Sequence, residues 1–532
     1  MRKSLSFLLG HKYFKTVSTL SLLFLTLFGF QNCTGFFAGT EFSSKRPIEE
    51  VIPFCVDITA SNFNPKLTHN FNTFTMLPDY NQVMSSPVVG DLNGDGYPEI
   101  GFVTFNKNGA YTTEGVLRII DGYSKREYLT IGGANSPNAP FASTSPLFID
   151  IDGNGLGEIV YISADRKSII AIHHNGLSRW RHELTDPYAC YSGLAAADLN
   201  GDGKAEIIAQ NEVLFENKRA NNKLGVTSIA YKSTKGGCSH FASNLSNNDK
   251  GLPIISSQGV YEFQDGRFVE RFAVKDIKCG GSCHVSVADL NPNYPGKELV
   301  YTGSEAFRIY SSSGQILVDK NLTEHYPDDS CGTKGVGGGV ATIGNFDSDP
   351  TTTEIAIATG KSLTIFDWRG NKIAGSRTND CSSLVTGVTS FDFNGDGIPE
   401  ILYGDEDFFR VYAITPGNSN LKVIWEIVNT SGTLHEYPVV ADLNRDWSPE
   451  IIVVSNNYAS RHQEEGTNGL RIFSAAEGEG VWMPTREVWN QHNYFISNVT
   501  EDLKATSSTG YSDEVSKNFR RNLPGDDIKC KP

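Results

Sequence analysis

The 532-residue chain is short of positive charge: 46 Lys and Arg face 61 Asp and Glu, a formal net charge of −15. That deficit excludes nucleic acid as a partner, because such affinity rests on Lys and Arg meeting phosphate. Beyond the first 40 residues no apolar run is long enough to cross a bilayer as a helix. Nothing reads as a long amphipathic helix either. Nucleophile signatures such as G-x-S-x-G are absent, and no Gly-rich phosphate loop follows a strand. His173-His174 reads as a solvated pair, Asp405-Glu406-Asp407 as an exposed turn and His492 as a structural hydrogen-bonder, so no residue is assigned to catalysis. With 11% aromatic and 20% charged residues the chain is not a disordered one. It is also longer than the roughly 250–300 residues one core sustains, which leaves several domains or a repeat.

Residues 1–32 hold Arg2, Lys3, Lys12 and Lys15, no acid, and the apolar run Leu20 to Phe30. This is the pattern of a secretory signal. The following Phe30-Gln31-Asn32-Cys33 resembles a relaxed bacterial lipobox, with Gln31 and Asn32 in place of small residues. The resemblance implies lipidation of Cys33; plain secretion and a retained helix are the alternatives. Losing residues 1–32 removes four positive charges and leaves −19 on the mature chain. Eight further Cys remain, at 55, 190, 238, 279, 283, 331, 381 and 530, an even number that suits disulfides in an exported protein. Cys190 with Cys238 and Cys331 with Cys381 are candidate staples between neighbouring repeats, and Cys55 with Cys530 a candidate closure.

One phrase recurs: apolar strand, D-x-[ND]-x-[DN]-G-x-x-E, apolar strand. It reads VVGDLNGDGYPEIGFV at 88–103, FIDIDGNGLGEIVYI at 148–162, AAADLNGDGKAEIIA at 195–209, FDFNGDGIPEILYG at 391–404 and VVADLNRDWSPEIIVV at 439–454. Weaker copies start at Asn244, Asp289 and Asn345. The eight starts are about 50 residues apart, the size of one four-stranded propeller blade. Further short strands fill each unit, such as Val116 to Ile120, Trp180 to Leu184 and Val423 to Ile427. The expected fold is all-β, a β-propeller of eight four-stranded blades, or seven with the Asn244 unit as an insertion. The divisions expected are a signal at 1–32, a lipidated linker at 33–60, the propeller at 61–500 and a tail at 501–532. The repeats resemble the FG-GAP/VCBS repeat family, which includes the propeller of integrin α chains. The segment Trp482 to Tyr494 resembles one that closes many bacterial VCBS-repeat proteins.

The loop chemistry points to calcium. In the first copy Asp91, Asn93 and Asp95 stand at positions 1, 3 and 5, Tyr97 offers a backbone carbonyl at 7, and Glu99 closes the shell at 9. Gly96 permits the positive φ that turns the chain. An all-oxygen set of about six or seven ligands suits Ca²⁺ better than Mg²⁺, and the lack of His and Cys argues against Zn²⁺ or Cu²⁺. The same positions are Asp150, Asp152, Asn154, Leu156 and Glu158; Asp198, Asn200, Asp202, Lys204 and Glu206; Asp392, Asn394, Asp396, Ile398 and Glu400; and Asp442, Asn444, Asp446, Ser448 and Glu450. About five structural Ca²⁺ sites are expected, the last with Trp447 in place of Gly and the Asn244 copy empty. Fifteen carboxylates in these five loops make most of the acidity ligand inventory.

The expected protein is a non-enzymatic, monomeric, exported module that binds a glycan or an extracellular protein. An outer-membrane or cell-surface lipoprotein is expected, with a periplasmic or secreted protein as alternatives. Insertions at 105–115, 131–145, 331–339 and 455–469 lie on the face away from the calcium loops, where a propeller holds a ligand. The rivals are a polysaccharide-active enzyme resembling rhamnogalacturonan lyase, and an architectural envelope component.

Overall fold

The computed structural model describes residues 63–522 apart from 219–223, 232–237, 275–282, 323–336, 384, 460–461, 463–465, 477–481 and 508–516. The calls on the signal, the linker, Cys33, Cys55, Cys279, Cys331 and Cys530 lie outside the described residues. So does the 331–339 insertion up to residue 336.

The described chain forms 33 strands in eight sheets that make a ring of blades; six are consecutive four-stranded meanders, the first blade has a fifth strand, and the last takes its outer strand from residues 66–71. The unit at Asn244 is a full blade, so the count is eight and not seven. Blade 2 shows the plan, with antiparallel strands Leu147–Ile149, Glu158–Ile162, Ser168–His173 and Ser178–Glu183 from the axis outward. Burial falls in that order. The first two strands are wholly buried, the third almost so, and the fourth alternates between exposed and buried. An inner strand is covered on both faces by neighbouring blades and reads as a continuous apolar run. The outer strand has one packed face and needs only period-two patterning.

The acidic loop joins the innermost strand to the second in every blade. The seven conserved-pattern Glu residues each open the second strand, as in Glu99–Asn106, Glu158–Ile162 and Glu450–Ser455. The starts of the innermost strands and the ends of the second strands therefore share the opposite face. There Cys190 and Cys238 form a disulfide that staples blade 3 to blade 4, as expected. Cys283 and Cys381 are also half-cystines, with partners outside the described residues.

The ring closes through a strand from the chain's start. Blade 8 takes Val439–Ala441, Glu450–Ser455 and Gly469–Ser474 in order, and its outer strand is Lys66–Phe71. Lys66 faces Ser474 and Phe71 faces Leu470 in antiparallel register. Joining the first and last blades this way leaves no gap in the ring.

The centre of the ring is filled by the chain's own C-terminal segment. Trp489, Asn490, Gln491, His492, Asn493 and Tyr494 are all at most 3% exposed. Asn490 O accepts from Phe148 N–H at 2.9 Å, Gln491 Oε1 from Ala196 N–H at 3.1 Å, and Asn493 Nδ2 donates to His240 O at 3.2 Å. Further on, Phe519 and Ile343 exchange backbone bonds, and Asn522 Nδ2 donates to Val440 O at 3.0 Å. The segment thus visits the inner strands of successive blades and pairs with their backbone groups. Its polarity is what the axis requires.

Candidate metal centres and a ligand-facing cavity

Each of the five intact acidic loops is an Asx-rich turn built on two left-handed residues. In the first, Gly94 has φ 73° and Gly96 φ 90°. The Asp91 carboxylate accepts both N–H groups, at 2.8 Å from Gly94 and 2.9 Å from Gly96. Asn93 Oδ1 accepts from Asp95 N–H at 2.8 Å, and Asp95 Oδ1 from Tyr97 N–H at 2.9 Å. Glu99 Oε2 accepts from Leu92 N–H at 2.8 Å, and its Oε1 accepts from Asn93 Nδ2 at 2.9 Å inside the loop. The pattern repeats with Asp150 on Gly153 and Gly155, Asp198 on Gly201 and Gly203, Asp392 on Gly395 and Gly397, and Asp442 on Arg445 and Trp447. Asn154 likewise accepts from Leu156, Asp202 from Lys204, Asp396 from Ile398 and Asp446 from Ser448. The fourth position is left-handed in all five loops and is glycine in four of them. In the last loop Arg445 and Trp447 hold φ 61° and 75° without glycine, a conformation that costs about 1 kcal/mol or more per residue.

The charges demand a cation most strongly in the first loop. Ligand atoms of Asp95, Glu99 and Asp121 all lie within 4.8 Å of one another. Asp121 ends the third strand directly opposite Glu99, a partner visible only once the register is known. Burial, with the like charges of Asp91, Asp95 and Asp121, pushes the Glu99 carboxyl up to about 9. Burial similarly lifts Glu206 and Glu400 to about 8, each beside two loop aspartates. Asp150, Asp152 and Glu158 form a second cluster within 4.8 Å. These oxygen-only donor sets fit Ca²⁺, which would hold the turn between the two inner strands of a blade. The weaker copies keep part of the fit: Glu298 Oε1 and Asn345 Oδ1 are buried oxygens with no hydrogen-bond donor.

Several loops have a cation of the chain's own beside them, Arg521 near Asp392 among them. Arg179 Nη1 lies 3.0 Å from Asp152 Oδ2 and 3.2 Å from Glu158 Oε1. His173, with its side chain 36% exposed, also reaches Glu158, Nδ1 lying 3.1 Å from Oε1. Lys125, from blade 1, is attracted by Glu450, Asp446 and Asp442 of the last loop. In the Asn244 copy Lys297 Nζ donates to Asn244 Oδ1 at 3.1 Å, and Arg271 Nη1 lies 2.9 Å from Asp249 Oδ1. Asp249 there accepts the Leu245 N–H at 2.6 Å, taking the part that Glu99 plays in the first loop.

On the opposite face a cavity of about 430 Å³ opens over blades 1, 7 and 8. Tyr111 and Tyr458 stand at its edge with ring centroids 5.5 Å apart, edge to face. They come from two of the insertions expected to carry a ligand, 105–115 and 455–469. Ser382, Ser383, Ser431 and Glu406 add polar lining. Asp405 and Glu406, expected in an exposed turn, are 0% and 4% exposed. Phe409 and Tyr412 bury that turn's hairpin in the core, and Arg410 neutralises Asp405. His492 is a buried axial residue in ring contact with His435 and Tyr437, and its Nδ1 has no hydrogen-bond partner, so it packs in the axis and is not the hydrogen-bonder expected. Among the described residues no helix is long and apolar enough to cross a membrane.

Comparison with known proteins agrees with this architecture. The family model described as FG-GAP-like repeat matches residues 136–209 and 392–453. A comparison with curated proteins finds no match. Among solved structures, the chain is similar to the V. cholerae biofilm matrix protein Bap1, with TM-score 0.68 and 19% identity over 87% of this chain and 99% of that one. It is also similar to the exotype rhamnogalacturonan lyase YesX, with TM-score 0.51 and 17% identity over 74% of this chain and 72% of that one. Both likenesses are of fold.

Proposed function

We propose that this eight-bladed propeller of FG-GAP-like repeats is a calcium-stabilised binding module of the cell envelope. It is exported, anchored through lipidated Cys33, acts as a monomer and takes a glycan or an extracellular protein as ligand. The observation that carries the reading is the cavity under Tyr111 and Tyr458, on the face opposite the calcium loops. Concave sites lined by aromatics and a few polar groups are the usual form of a ligand site. The Cys190–Cys238 disulfide supports an oxidising, exported setting. The fold shared with a biofilm matrix protein is consistent with an extracellular role.

A panel of immobilised glycans and envelope proteins, probed in calcium, tests this. Binding that the Tyr458→Ala variant loses is expected; no binding anywhere on the panel contradicts it. Lyase chemistry needs a base and charge neutralisation beside a uronate. Tyr111, Tyr458 and Glu406 are lining residues able to act as a base. A rise in absorbance from unsaturated products on pectic substrates would replace the binding reading with that one.

A further inference from the structure

We propose that Arg179 takes the ion's place in the second acidic loop, so that blade 2 pins its turn with a guanidinium while blades 1, 3 and 7 use calcium. The inference rests on the calcium reading above and withdraws one loop from it. Three observations carry it.

The first is position. Arg179 lies in the outer strand of blade 2, Ser178–Glu183. Its Nη1 stands 3.0 Å from Asp152 Oδ2 and 3.2 Å from Glu158 Oε1, the carboxylates at positions 3 and 9 of the loop. Its side chain is only 5% exposed, and a guanidinium keeps its charge at any ordinary pH. Both oxygens of Glu158 are already engaged. Oε2 accepts the Ile151 N–H at 3.0 Å, and Oε1 meets Arg179 Nη1 and His173 Nδ1 at 3.2 and 3.1 Å. A calcium ion held through Oε1 would share that oxygen with a fixed cation, which repels it. The donor set is right for calcium, but the place is taken.

The second is the sequence of the loop. The other four intact loops have Asn at position 3, as Asn93, Asn200, Asn394 and Asn444, and Asp at position 5. The second loop reverses the two, with Asp152 and Asn154. In the first and third loops the Asn amide itself spans to position 9. Asn93 Nδ2 donates to Glu99 at 2.9 Å, and Asn200 Nδ2 donates to Glu206 at 3.0 Å. Asp152 has no N–H to give, and Arg179 Nη1 supplies the donor between the same two positions. The reversal of Asn and Asp and the inserted arginine thus occur in one and the same loop.

The third is the other side of the guanidinium. Nη2 and Nε hold both oxygens of Glu216, in blade 3, at 2.6 and 2.7 Å, and Trp180 Nε1 donates to that carboxylate at 2.9 Å. A two-point pair fixes the plane of the guanidinium. Glu216 is 8% exposed, so Arg179 cannot swing away to admit an ion without unpairing a buried carboxylate. The same side chain ties the loop of blade 2 to the third strand of blade 3, Glu212–Lys218. Blade 2 therefore keeps its turn, and this tie, when calcium is scarce.

The test is hydrogen exchange of the loop amides, read by mass spectrometry on the mature chain with calcium and with excess chelator. Chelation should speed exchange on the order of ten-fold or more in the peptides spanning Gly94 to Gly96 and Gly201 to Gly203, and by less than about two-fold in the peptide spanning Gly153 to Gly155. The double variant Arg179→Met, Glu216→Gln removes the cation without leaving a buried charge at Glu216, and the amide oxygen still accepts from Trp180. It should carry one more calcium than the parent in a native mass spectrum, and its Gly153 to Gly155 peptide should become sensitive to chelator. Asp198→Asn should lose one ion, which gives the size of a single-site change. Melting curves in calcium check that each variant folds; should the double variant not fold, exchange of the parent chain decides alone. Chelator-sensitive exchange at Gly153 to Gly155 in the parent, or a folded double variant that gains no ion, overturns the assignment of Arg179 and leaves calcium in the other loops. No calcium on the parent and no chelator effect at any loop removes the calcium reading as well.

Discussion

Trp489 and Val89 exchange both of their backbone hydrogen bonds, Val89 N–H to Trp489 O at 2.8 Å and Trp489 N–H to Val89 O at 2.9 Å. A residue 400 positions downstream thus pairs with the innermost strand of the first blade. Trp489 is fully buried, stacked on Tyr494 at 4.5 Å, with Arg520 over its ring. Trp489→Ala should destabilise the protein by about 3–5 kcal/mol, read from denaturant unfolding. Truncation after residue 481 should abolish cooperative unfolding, because seven inner strands lose partners at once. A truncated chain that melts like the full one would mean the axial segment is not part of the fold.

The axis should also make the folded protein sensitive to acid. Burial lowers the His284 ring to about 4 and holds His435 and His492 well below their ordinary value, with Arg520 adding to the effect. The unfolded chain binds protons on these rings from about pH 6.5, and the folded chain does not. Their contribution is whole above that pH and is lost as pH falls toward 4. His284→Asn should flatten the dependence of melting temperature on pH between 7 and 5; an unchanged slope would contradict it.

Lys125 separates the last loop from the first. Its ammonium is drawn to Glu450, Asp121, Asp446 and Asp442, and Glu450 is still raised to about 8 by burial and neighbouring acids. Lys125→Met removes the tethered charge, so equilibrium dialysis should show one site gaining calcium affinity. Affinities identical to those of the parent chain would show that Lys125 does not compete.

The blades were legible because a nine-residue loop with an acid at each end marks the same turn five times, and three weaker copies keep its spacing along the chain. The Glu at position 9 opens the second strand and accepts a backbone N–H, so its spacing is tied to strand geometry. Other elements had no such marker. Lys66–Phe71 is the polar run KLTHNF and takes its place only through pairing with Gly469–Ser474. Asp121 joins the first loop through strand register, not through the motif. The residues Trp489 to Tyr494 look like surface by polarity, yet they fill the axis because inner-strand backbone groups need partners there. Asp405 and Glu406 read as an exposed turn because a charged triplet seldom folds inward without Arg410 and Ser382 to receive it.

Calcium retention should itself depend on pH in a known direction. Without metal, Glu99 at about 9 and Glu206 and Glu400 at about 8 sit above their unfolded value of about 4.5. Their protonated form stabilises the metal-free fold below pH 4.5, and this is lost as pH rises through 8 to 9. Melting of the mature chain at pH 8, with calcium and with excess chelator, therefore tests the metal assignment most directly. A sharp fall in melting temperature on chelation, smaller at pH 5.5, is expected. Superimposable curves at pH 8 would contradict calcium in these loops.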